Sequence, residues 1–147
     1  MEMGGIYLHK IMNFTKKLTK VATPVWMLDL FKALDTLDTS ENSGFKIFDE
    51  NVTMQFGTNT VQGLDNVKQF FIKLDTPLIT KHVVAEVFHT DPVYIMNGGA
   101  EISKKGGNPD EKIQAAPVFN LFWFNKAGKV IKYVADAPPE AMGKANA

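Results

Sequence analysis

The chain has 147 residues, enough for one domain that buries roughly two-thirds of the surface its unfolded form exposes. Sixteen acidic residues balance sixteen basic ones, every basic residue is lysine, and cysteine is absent. That composition excludes thiol nucleophiles, disulfides and thiolate metal sites, lacks the arginine fork used on phosphates, and creates no net field toward nucleic acid or an anionic membrane.

Residues 1–22 read as an N-terminal extension. Tyr7, Ile11, Phe14, Leu18 and Val21 recur at helical spacing, with Lys10, Lys16, Lys17 and Lys20 on other faces, which predicts a short amphipathic helix. The domain proper is expected over residues 23–140, with 141–147 as a flexible tail. Thr23 and Pro24 are suited to the N-cap and first position of a helix running to Asp38. Met27, Leu30, Phe31, Leu34 and Leu37 form its apolar face, and Asp35 falls inside that arc. A carboxylate there is costly to bury unless something pairs with it.

A second short helix is expected from Ser40 to Phe48, then a half-buried strand from Val52 to Phe56. Gly57 to Gly63 reads as a turn. A third helix, Asp65 to Leu74, shows Val67, Phe70, Phe71 and Leu74 on one face. Strands follow at Thr80–Thr90, Val93–Lys104, Ile113–Asn125 and Val130–Ala137, with a tight turn at Asp91-Pro92 and a bulge or bend at Gly98-Gly99. Three helices segregated from a run of antiparallel strands define an α+β domain, with a curved sheet and helices enclosing a cavity.

This order, together with A-L-D-T-L-D closing the first helix, F-D-E-N-V-T-M-Q-F-G at the first strand, V-Q-G-L-D-N-V-K-Q-F-F opening the third helix and T-K-H-V-V in the second strand, resembles the NTF2-like superfamily. It is most similar to the SnoaL-like and scytalone dehydratase-like branch, over roughly Pro24 to Pro139. The resemblance implies a cone-shaped fold and a pocket containing an aspartate late in the first helix, a histidine early in the second strand and an asparagine in a late strand. Asp35, His82 and Asn120 occupy the matching positions. The second histidine and the water-orienting tyrosines of the dehydratase have no counterpart in Asn97–Ser103 or at Met54–Phe56.

The candidate catalytic residues are Asp35, His82 and Tyr133. An Asp–His pair can give and take a proton, and Tyr133 is placed inward because Lys132 suits the solvent face. Asn120, Phe31, Met54, Phe71, Phe122 and Asp136 are the expected substrate-binding residues. His9, His82 and His89 lack zinc-ligand spacing, so no metal and no cofactor are expected. No apolar run reaches transmembrane length, and no signal peptide is evident, so a cytoplasmic protein is expected.

Function is therefore expected to be that of a cofactor-independent lyase, isomerase or cyclase acting on a small apolar, polyketide- or terpenoid-like molecule. The alternatives are a non-catalytic carrier with the same pocket, or a protein-interaction module. Strands around Val83, Val87, Phe119, Leu121 and Trp123 carry apolar residues on both faces, which predicts a homodimer through the outer sheet face.

Overall fold

Burial of an apolar stripe organises the first helix. The computed structural model describes residues 18–108 and 110–136. Helix α1 spans Val25–Thr36 and buries Met27, Leu30, Phe31, Ala33 and Leu34. Thr23 does not cap it: Pro24 is the N-cap and its carbonyl accepts from the N–H groups of Met27 and Leu28. At the other end Leu37 takes the left-handed conformation, and the N–H groups of Leu37 and Asp38 return to Leu34 and Ala33, closing the helix as a Schellman turn.

The expected second helix is instead a single 3-10 turn at Gly44–Ile47. Gly44 lies so close to the α1 backbone at Asp29 that a Cβ has no room, and four residues between that contact and the next strand leave no length for an α-helix. The described residues thus hold two α-helices rather than three, the other being α2 at Leu64–Asp75.

Among the described residues seven strands make one sheet: β1 (Thr19–Val21), β2 (Phe48–Phe56), β3 (Asn59–Gln62), β4 (Leu78–Thr90), β5 (Val93–Lys104), β6 (Ile113–Phe124) and β7 (Val130–Ala135). Their order is β1-β4-β5-β6-β7-β2-β3, antiparallel except for the parallel pair β2–β7. The meander β4 to β7 is as expected. Two strands are not. β3 lies where a turn was expected and pairs with β2 in a hairpin, with the Thr53 hydroxyl 2.6 Å from Gln62 Oε1. Its side chains are mostly exposed, so no apolar alternation announces it. Residues 19–21, expected as the end of a helix, pair with Val87–His89. Leu18, before them, is exposed and belongs to no helix; residues 1–17 of that expected helix, and the tail, lie outside the described residues.

A bulge reverses the faces of β4. The pairing with β5 shifts between Val84 and Glu86, so Ala85 is the extra residue. Before it, Thr80, His82 and Val84 face the helices; after it, Val87 does, and it is buried in the core. Val87 is therefore not part of the outer face, as alternation alone predicts. His89 turns with it and stacks on Tyr94 at 4.1 Å. Gly98, opposite Val84, permits the approach: a Cβ there would collide with the Val83 carbonyl oxygen and press on Met96 Sδ. The main core joins α1 and α2 to the concave side of the sheet through Leu30, Phe45, Met54, Val67, Met96 and Phe122.

Candidate active site

Asp35 stands in the last turn of α1, over the early part of β4. Its carboxylate accepts from the Thr80 hydroxyl at 3.0 Å and from the His82 backbone N–H at 3.1 Å, and lies 2.6 Å from His82 Nδ1. Phe31, one helical turn earlier, stacks on the imidazole at 5.0 Å with planes only 6° apart. The ring is thereby pinned on an edge and covered on a face. With Asp35 ionised, Nδ1 carries the proton, and Nε2 is the nitrogen free to accept. No hydrogen bond to Nε2 is made among the described residues.

The pair is neither sealed nor fully solvated, since the His82 and Asp35 side chains keep 22 % and 23 % of their exposure. They lie on a groove of about 550 Å³ between α1 and β4, lined also by Thr23, Leu28, Lys32, Lys81, Val83 and Val84. A volume of that order suits a small organic molecule.

Deeper in the fold, Tyr133 donates its hydroxyl proton to Asn120 Oδ1 at 2.6 Å, and both side chains are buried. Tyr133 stacks on Phe122 at 4.8 Å. Burial, with a smaller contribution from the charge of Asp75, pushes the phenol far above its ordinary range. Such a hydroxyl is a hydrogen-bond donor and not a ready source of phenolate.

Asp75, the last residue of α2, is the site feature that the sequence reading missed. It is 7 % exposed, and burial pushes its carboxyl up to about 6, with His82 opposing the shift and Asp35 adding to it. No hydrogen bond reaches its carboxylate from the described residues. The signal was present: Val67, Phe71 and Asp75 follow one another by four on the buried face.

The expected residues thus fall into separate places. Phe31, Asp35 and His82 come together at the groove. Asn120, Phe122 and Tyr133 form the inner cluster. Met54 and Phe71 pack within the core. Asp136 is exposed and stands apart, its backbone N–H bonded to the Phe119 carbonyl at 2.9 Å. Among the described residues no group of three histidine or carboxylate side chains is placed to hold a metal.

The sequence matches no protein-family model and no curated protein. Solved structures do match it. A protein named as a SnoaL-like polyketide cyclase from Jannaschia sp. CCS1 superposes with a TM-score of 0.68 at 16 % identity, covering 86 % of this chain and 96 % of that one. The fold is NTF2-like. The same NTF2-like frame relates the chain to an epoxide hydrolase of the LEH-like type from M. tuberculosis, with a TM-score of 0.62, 10 % identity, and 82 % and 85 % of the two chains covered. It also relates it to a protein with a ketosteroid isomerase-like fold from Catenulispora acidiphila DSM 44928, in complex with trimethylamine, at 0.64 and 13 % identity over 78 % and 85 %. The resemblance to SnoaL-like proteins is thus one of shared NTF2-like architecture. That frame hosts unrelated chemistries, so activity must be argued from the side chains.

Proposed function

We propose that this chain is a cofactor-independent lyase, isomerase or cyclase that acts by acid–base chemistry on a small apolar, polyketide- or terpenoid-like molecule in the groove beside α1. The observation that carries the reading is the 2.6 Å contact between Asp35 and His82 on that groove. His82 Nε2 takes a proton from the substrate, Asp35 meets the positive charge that develops on the ring, and the proton returns to a second substrate atom or to a leaving hydroxyl. Proton transfer in both directions needs no external oxidant or reductant.

The test is native mass spectrometry of small molecules that co-purify with the protein, followed by incubation with the wild type, Asp35→Asn and His82→Gln. Conversion by the wild type and a loss of at least about 100-fold in either variant is the expected result. A bound metabolite that no form converts would favour a carrier. That second reading draws on the way Asp35 ties α1 to the His82 backbone and Tyr133 satisfies Asn120, bonds that serve architecture as well as chemistry.

We further propose a homodimer through the outer sheet face, on which Ile79, Val83 and Phe119 are exposed and Leu121 and Trp123 are half-buried. Water-exposed apolar side chains at this density suit a second copy of the chain.

A further inference from the structure

Asp75 has no part in the contact between Asp35 and His82, although a carboxylate in its position is costly on three counts. It closes α2 on the buried face that carries Val67 and Phe71, and it is only 7 % exposed. A negative charge at a helix C-terminus opposes the helix dipole, so α2 gains nothing from it. No hydrogen bond or ion pair reaches it among the described residues. Its surroundings show what it can act on. Strand β4 begins three residues later, at Leu78, and from that strand Thr80, His82 and Val84 face the helices. The end of α2 and the histidine thus lie at one end of the concave side. The titratable groups facing Asp75 are His82 from β4, Asp35 from α1 and Tyr133 from β7. Tyr133 keeps its proton and gives its hydroxyl to Asn120, and Asp35 is already bonded to Thr80 and His82. Of the three, only His82 can become positive.

We infer that Asp75 is a positioning residue for the His82 base: its carboxylate adds, from α2, a second negative charge that stabilises the imidazolium formed when Nε2 takes a proton. Asp35 holds the ring by Nδ1, whereas Asp75 acts across the low-dielectric interior without bonding to it. Asp75 makes and breaks no bond in the reaction; the proton moves only between the substrate and Nε2. Burial pushes the Asp75 carboxyl up to about 6, with His82 opposing the shift and Asp35 adding to it. The second charge is therefore present above that pH and lost as pH falls through it. This role rests on the acid–base reading of His82, and the two can fail separately.

The experiment follows the Asp75 carboxyl carbon and the His82 ring by NMR on the full chain between about pH 4 and 8, with no ligand added. The Asp75 signal is expected to titrate near pH 6 in the wild type and at higher pH in His82→Gln, which removes a positive neighbour. By reciprocity, the His82 ring in Asp75→Asn should lose its proton at a pH lower by about 0.5 or more than in the wild type. His89, which stacks on Tyr94 beyond the bulge, should titrate alike in every form. Circular dichroism establishes that each variant is folded, and should Asp75→Asn not fold, His82→Gln reads the same coupling from the other side. An Asp75 signal that titrates near 3.8, an Asp75 titration indifferent to His82→Gln, a His82 titration indifferent to Asp75→Asn, or an equal displacement at His89 each overturns the inference. Turnover separates the two readings. For a substrate that the wild type converts, Asp75→Asn should lower kcat about fivefold or more at pH 7.5, leave KM nearly unchanged, and lose less of the rate at pH 5. Uncoupled titrations, with turnover lost in His82→Gln, would sink the role of Asp75 and leave the acid–base reading standing. Coupled titrations in a protein that converts nothing would uphold the coupling and sink that reading.

Discussion

Asp35 holds His82 twice, by the backbone N–H at 3.1 Å and by Nδ1 at 2.6 Å. The two bonds fix the ring relative to the strand that carries it, so the imidazole cannot turn without breaking a tie between α1 and β4. Close residues in one network couple by about 0.5–3 kcal/mol. A double-mutant cycle with Asp35→Asn and His82→Gln, followed by urea denaturation, should return a coupling energy in that range. Additive effects would contradict the contact.

Asp75 should make stability fall as pH rises. Its folded carboxyl sits at about 6, against an ordinary value of 3.8, so between those values the folded state binds more protons than the unfolded one. The resulting penalty begins above pH 3.8, grows to pH 6 and then levels off, reaching at most about 3 kcal/mol. Asp75→Asn should therefore be nearly neutral at pH 3.5 and stabilising at pH 7.5. Urea midpoints of both forms at the two values check this, and a gap that does not widen with pH would count against it.

Tyr133→Phe should leave Asn120 Oδ1 buried without its donor, since the hydroxyl is its 2.6 Å partner. The expected loss is about 1–3 kcal/mol. Adding Asn120→Leu should recover part of it, because an apolar pair no longer strands a polar atom. Thermal denaturation of the single and double variants tests the point.

Gly98→Ala should destabilise by about 1–3 kcal/mol through overpacking, because the added methyl meets the Val83 carbonyl. An ordinary strand glycine would tolerate alanine or gain from it. A neutral result in chemical denaturation would mean that the two strands are further apart than described.

The mass by light scattering at micromolar concentration should be that of a dimer, and Phe119→Lys should shift it to a monomer. Phe119 is 50 % exposed, so the substitution adds charge to the outer face without disturbing the core.

Much of this architecture was legible because it depends on short-range periodicity. The buried stripe of α1, the limits of β5 and the inward side of Tyr133 all follow from patterns within a dozen residues. Asp35 was visible as a carboxylate inside an apolar arc. Asp75 occupies the same kind of position, one turn beyond Phe71, but the expected helix ended at Leu74 and left it outside the pattern. The reversal at Ala85 had no local signal, because it is set across the sheet by Gly98. Strand β3 escaped for the opposite reason: it is held by backbone pairing and polar contacts with β2, and its single apolar residue, Val61, makes no alternation to read.

The parallel pair β2–β7 joins Met54 to Tyr133, partners that are 79 positions apart in the chain. On the ribosome, α1, β2 and α2 therefore emerge with their apolar faces facing a sheet whose closing strand has not yet been made. Residues from Val130 onward are the last of the described sheet to be synthesised, and until they appear Met54 and Phe48 have no neighbour on that side. Loop closure over such a span is paid late and all at once. A transcript cut before Val130 would yield no smaller folded protein, only a nascent chain with its interior uncovered, of the kind that chaperones hold and proteases clear.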